Sequence, residues 1–142
     1  MWADTLLRAE QQHLLRVLIW SGLSILVGTA AAATVAIRRL RSPLLKQFAL
    51  QMAAWGCVVG LIGALGWRGA YLRDVGAAAR LERLVWMNVG LDVGYLAMGA
   101  TLAGAAWMLG RRLGGVGAGV AIAVQGTALL LLELQFAATI SR

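Results

Sequence analysis

Four long apolar runs, at residues 17–37, 47–67, 84–110 and 113–140, are separated by short clusters rich in arginine. Of the 13 Lys and Arg and 6 Asp and Glu residues in the chain, only Asp92 and Glu133 fall inside these runs. Each run reaches or exceeds the roughly 20 apolar residues that cross about 30 Å of hydrocarbon as an α-helix. The period-2 alternation of a membrane barrel strand is missing, and lipid offers no partner to an open strand, so helices are the expected form. The pattern predicts an all-α, single-domain transmembrane bundle over residues 1–142. Its four up-down antiparallel helices span about 14–37, 43–67, 84–110 and 113–140, with a short amphipathic N-terminal extension.

The polar punctuation locates the helix ends. Asp4 is placed to cap a first helix of about 35 residues that begins amphipathic through Leu6, Leu7, His13 and Leu14. Ser42-Pro43 puts a capping hydroxyl before a proline whose missing N–H costs nothing in a first turn, so the second helix starts there. That helix ends near residues 66–69. Between it and the third run, residues 70–83 mix Arg, Asp, Glu and Ala. Glu82 interrupts any apolar face, which favours an extension of the third helix over a separate interfacial one. Trp67 and Trp86 bracket this segment as aromatic anchors at one membrane face. Arg111 and Arg112 form a tight turn into a glycine-rich start, making helices three and four antiparallel neighbours. Three glycine pairs stand at small-xxx-small spacing, Gly56 with Gly60, Gly90 with Gly94, and Gly115 with Gly119. Such pairs let backbones approach closely in lipid, within the bundle or between two copies.

Composition agrees with this reading. The chain is 61% apolar and 13% charged, far below the roughly 25% charged of an ordinary soluble domain. Its net charge of +7 invites a nucleic-acid partner, but the basic residues flank the spans instead of forming a stripe on one face, and nucleic acid is set aside. The turns after spans one and three carry six basic residues and no acids. The opposite side carries seven basic residues and four acids. Short acid-free basic loops stay inside, so the loops at 38–46 and 111–112 are expected to be cytoplasmic in a bacterial inner membrane. The run from Ala30 to Ala33 resembles the end of a signal peptide, but Asp4 and Glu10 before the apolar run argue for a retained anchor. The lone Cys57 sits mid-span as a small packing residue.

The candidate chemistry lies inside the membrane. Asp92 is about 9 Å past the Trp86 level and Glu133 about 10 Å from the same face, so two carboxyls share a depth on neighbouring helices. Lipid exposure of a carboxylate at the midplane costs at least roughly 2.5 kcal/mol, so both are expected to face the bundle interior. Asn88, Asp92 and Tyr95 fall on one stripe of the third helix, and Gln125 and Glu133 roughly on one side of the fourth. Ser21 and Ser24 are expected near Asp92. Gln51, Thr101, Gln125 and Thr29 are expected in a second polar layer toward the other face. Two readings compete. The polar layers fix helix register as core groups can, or two carboxyls that cannot both carry charge cheaply form a proton or cation site.

No ligand set for a cofactor or metal is expected. His13, the only histidine, is read as interfacial at a helix start, and Lys46, the only lysine, sits at a membrane edge. No H-E-x-x-H and no Cys/His cluster occurs, so the chain is not expected to be an enzyme. The runs Asn88-x3-Asp92-x2-Tyr95 and Gln125-Gly126-x6-Glu133 resemble those of an uncharacterised bacterial family of small four-span membrane proteins. That resemblance implies architecture, marks those five residues, and carries no activity. Small multidrug exporters are similar in size and span number but place their acid in the first span, where this chain has none. Dual-topology fluoride channels are similar in size only. The leading expectation is a lipid-embedded protein acting by helix association, as an accessory or assembly subunit or a homo-oligomer. The alternative is a small proton- or cation-coupled transporter or channel using Asp92 and Glu133.

Overall fold

Four helices account for nearly all of residues 2–141, which the computed structural model describes: α1 (Trp2–Ile37), α2 (Pro43–Arg68), α3 (Val75–Met108) and α4 (Leu113–Ile140). Each is long and apolar enough to cross a membrane, and no strand occurs among the described residues. Each expected span overlaps one of these helices. α1 and α3 run on past the apolar windows, to 36 and 34 residues.

The helix ends follow local chemistry. At α2, the Ser42 hydroxyl oxygen accepts the Leu45 N–H at 3.3 Å, with Pro43 in the first helical position, as the Ser-Pro pair predicts. Residues 70–74 stay outside any helix, and α3 then begins seamlessly as an extension of the third span. Its cap is Asp74, whose carboxylate accepts the Ala77 N–H at 2.6 Å. The expected cap at Asp4 is corrected: α1 is already helical at Trp2, so Asp4 lies in the first turn, where a negative charge still complements the helix dipole. The two loops between paired helices turn on residues in the left-handed region, Arg39 at φ 50° in one, Gly110 at 105° and Arg111 at 52° in the other. Only glycine adopts that region without steric cost.

Buried positions recur at intervals of seven, the spacing of a seam between helices crossing at a small left-handed angle. On α3 they are Val85, Asp92, Gly99 and Ala106; on α2, Ala49, Gly56 and Gly63, joined by Met52 and Val59. Small residues dominate these seams, because in lipid close van der Waals packing replaces burial from water as the cohesive force. α1 packs along α2, and α3 packs along α4. The two pairs are built alike. A Cβ on Gly28 of α1 would lie 2.7 Å from the Ala49 carbonyl oxygen and 2.9 Å from Ala53 Cα of α2. A Cβ on Gly99 of α3 would lie 2.6 Å from the Gly119 carbonyl oxygen and 2.9 Å from Ala123 Cα of α4. Each hairpin therefore closes on a glycine seated against the backbone of its partner.

α4 joins the hairpins, packing on α2 and over a shorter stretch on α1. Gly117 of α4 lies directly against the Leu44 backbone of α2 at this junction. By contrast α3, though it follows α2 in sequence, makes no close backbone approach to α2 or α1 among the described residues. A gap bounded by α2 and α3 runs down one side of the bundle, and the site described below lies at its floor.

The predicted glycine contacts hold at Gly56 and Gly60, which sit against Ser21, Ser24 and Ile25 of α1. They hold also at Gly115, against Ala106, and at Gly119, against Gly99 and Ala103. They do not hold within the chain at Gly90 and Gly94, where no other part of the structure comes within 4 Å of an added Cβ. Spacing marks a glycine as able to accept a close neighbour, and at these two positions the fold supplies none.

Candidate functional site

The α3–α4 seam brings Asp92 and Glu133 to one place, as their shared depth predicted. Gly126, one helical repeat before Glu133, lets α4 lie against the backbone of Asp92 and Leu96, so both carboxyls turn toward the interior. Each of the two residues is less than a tenth exposed. Together with Asn88 and Tyr95 they line a cavity of about 160 Å³, whose other walls are apolar and aromatic, from Trp55, Val59 and Ile62 of α2, Val17 of α1 and Leu129 of α4. Asn88 donates its side-chain N–H to Glu133 Oε1 at 3.2 Å. The second oxygens, Asp92 Oδ2 and Glu133 Oε2, are buried and accept no hydrogen bond. The Tyr95 ring meets the Trp55 indole edge to face, centroids 5.1 Å apart, and so bridges the gap between α3 and α2.

The one histidine belongs here too. His13 was expected at the interface, and this is corrected: its side chain is buried, stacked on Phe136 at 4.5 Å, with Nε2 3.4 Å from Glu133 Oε1. The signal for it was in the sequence. Glu10, His13, Val17, Ser21, Ser24 and Gly28, spaced by three and four, form the buried stripe of α1, and all but Val17 are polar or small.

A cleft of about 340 Å³ leads from the membrane face formed by the α2–α3 loop down to Glu133, lined on the way by Glu10, Arg73, Gly66, Phe136 and His13. It shares Val17, Ile62, Asn88 and Glu133 with the deeper cavity, so the two voids adjoin at Glu133. At its mouth the Arg73 guanidinium forms a two-pronged pair with buried Glu10, at 2.6 and 3.1 Å. The hydrogen bond to Glu10, outweighing the opposing cost of burial, raises the Arg73 pKa above its ordinary value. This cation is thus committed to Glu10. His13 is the basic side chain that reaches the deeper acids.

Other predicted polar residues sit elsewhere. Gln125 lies outside the cavity lining. Its Oε1 accepts the Trp20 indole N–H at 2.7 Å and its Nε2 faces the Met52 sulfur at 3.6 Å, tying α4 to α1 and α2. Ser21 donates to the Gly56 carbonyl at 2.8 Å, and Ser24 is buried beside Gly56, so both face α2 in place of Asp92. Thr29 and Thr101 are exposed, Thr29 bonding back into its own helix, Gln51 is half-buried on α2, and of the expected second polar layer Gln125 is the buried member.

A pair of incompletely bonded carboxyls with an imidazole at hand can hold a proton between them or accept a positively charged guest. A divalent metal is poorly served, since no group of three or more His, Cys, Asp or Glu side chains converges among the described residues. No curated protein and no solved structure matches the chain. A family profile does match, over residues 16–134, a stretch that holds every residue of the cavity and both carboxyls but stops short of the Phe136 stack and begins after Glu10 and His13. The chain belongs to that family, which is described as a family of unknown function, DUF6992.

Proposed function

We propose that this chain binds a proton or a small cation between Asp92 and Glu133 inside the bilayer, as the working site of a small proton- or cation-coupled transporter or channel. One observation carries the reading: two buried carboxylate oxygens, Asp92 Oδ2 and Glu133 Oε2, lack hydrogen-bond partners among the described residues, and their residues line one cavity that adjoins the cleft at the α2–α3 loop. A structural polar knot gains from bonding every group, because an unsatisfied buried acceptor costs about 1–3 kcal/mol and more when charged, although the neutral Ser24 hydroxyl is also buried without a partner here. The Gln125 amide shows what such a knot looks like in this bundle. The acids depart from it.

Proteoliposomes holding the full chain under a proton gradient test the proposal. The expected result is a proton or monovalent-cation flux that Asp92→Asn combined with Glu133→Gln abolishes, together with a titrating carboxyl band in the infrared that the same variant loses. Equal flux and an unchanged infrared titration in the double variant would refute it.

A second reading, association with another copy or a membrane partner, is favoured by Gly90 and Gly94, where nothing among the described residues comes within 4 Å of an added Cβ. If they form an interface, Gly94→Leu dissociates the oligomer seen by native mass measurement in lipid nanodiscs. If the chain acts alone, Gly90→Ala and Gly94→Ala each stabilise α3 by up to about 1 kcal/mol through helix propensity, with no change of mass.

A further inference from the structure

The cavity that holds the carboxyls opens sideways, between α2 and α3. Its α2 wall contributes Val58 and Ile62 and its α3 wall Leu91, all three more than two-fifths exposed on the outer surface of the bundle, where acyl chains lie. Between those walls α2 and α3 make no backbone approach. Trp55 and Tyr95 stand across the opening with their rings at 78° to one another, and Asp92 and Glu133 lie behind them. A guest reaching the acids from this side crosses apolar surface first, aromatic faces next and anionic oxygens last.

From this order of surfaces the geometry points to an organic ammonium as the ligand, its charged head between the Trp55–Tyr95 rings and the Asp92–Glu133 carboxyls and its apolar body in the gap between α2 and α3, reached from the bilayer. This rests on the cation-binding reading above and names the class of cation. Aromatic faces attract a quaternary or protonated amine through their quadrupole, an attraction that grows when water is excluded. For an inorganic ion the walls supply no oxygen ligands beyond those of Asn88, Asp92, Tyr95 and Glu133, and the remaining apolar and indole surface offers it little. Size agrees: a cavity of about 160 Å³ matches the roughly 150 Å³ that accommodates a benzene ring. A longer substituent has room to continue outward past Val58 and Leu91.

The test uses the full chain in vesicles of phosphatidylglycerol, with benzyltrimethylammonium as probe and neopentylbenzene, its uncharged isostere, as control. Saturable binding of the probe beyond that of protein-free vesicles, with none of the isostere, is expected. Asp92→Asn with Glu133→Gln is expected to abolish it, and Trp55→Leu to weaken it about tenfold. Val58→Trp, at the lipid-facing rim, is expected to slow association of the probe. Repeating the measurement in phosphatidylcholine separates two sources of the same chemistry: displacement of the probe assigns the ammonium to a lipid headgroup, and undiminished binding assigns it to a free amine. Absence of probe binding in protein whose carboxyls titrate normally would overturn the ammonium proposal alone. Absence of both signals would remove the cation site with it. Equal uptake of probe and isostere would reduce the gap to a nonspecific apolar groove.

Discussion

Gly99→Leu is expected to separate α3 from α4 and to unfold the second hairpin at a temperature well below that of the parent protein. The first atom of any side chain at this position meets the Gly119 carbonyl oxygen and Ala123 Cα of α4, which are backbone and cannot swing aside. Relief requires the helices to move apart along the seam that also carries Asp92 and Ala106. Overpacking of a tight interior typically costs about 1–3 kcal/mol, and a clash with backbone belongs at the upper end even for Gly99→Ala. The mirror substitution, Gly28→Ala, meets Ala49 and Ala53 in the same way and is expected to destabilise the first hairpin to a similar degree. The two changes lie in different hairpins, so their effects should add. Gly104→Ala is the control on the same helix as Gly99. No neighbour lies within 4 Å of its added methyl, and it is expected to be neutral or slightly stabilising. Thermal unfolding in lipid nanodiscs, followed by tryptophan fluorescence, reads all four. A parent-like Gly99→Leu would mean that α3 and α4 do not meet at this crossing.

The seven-residue rhythm that makes these glycines critical also explains what the sequence could and could not reveal. Span number, the Ser42-Pro43 start of α2 and the common depth of Asp92 and Glu133 follow from length, composition and a fixed rise per residue, all local quantities. Which way a side chain points around its helix is not local. Gln125 shares a helix and roughly a side with Glu133, yet it bonds Trp20 and Met52 on the opposite hairpin, because α4 contacts three helices and presents a different one to each part of its surface. His13 was misplaced for a related reason. Hydropathy sets the start of the first span after it, whereas α1 continues straight from Trp2 and carries His13 beneath Phe136. The gap between α2 and α3 is the least legible feature. An up-down order suggests that consecutive helices touch, and only the distribution of close glycine contacts, dense within each hairpin and absent between α2 and α3, leaves that side open.

Removing the Arg73 guanidinium is expected to cost far more than removing the carboxylate it holds. Arg73→Ala strands Glu10, a residue 5% exposed, without its two-pronged partner, and an uncompensated buried charge costs about 3–5 kcal/mol. The lower part of that range applies here, since the pair lies at the mouth of the cleft. Glu10→Gln strands only Arg73, which sits on the α2–α3 loop and over the Tyr71 ring, 4.8 Å from its centroid, and can turn its long side chain to water. Arg73→Lys restores charge but not the fork, and is expected to recover only part of the loss. Adding Glu10→Gln to Arg73→Ala is then expected to restore stability instead of lowering it further, a non-additivity of about 1–3 kcal/mol. Because the hydrogen bond to Glu10 raises the Arg73 pKa against the opposing cost of burial, its contribution is present throughout the neutral range and fades only in strong alkali. The same pair ties α1 to the loop that begins α3, two elements with no close helix-to-helix contact, so its loss also widens the aqueous cleft toward His13 and Glu133. Denaturation in mixed micelles across the four variants, with hydrogen exchange at Leu81 and Val85 as the local readout, measures both effects. Additive losses for the double substitution would show that Glu10 and Arg73 act independently of one another.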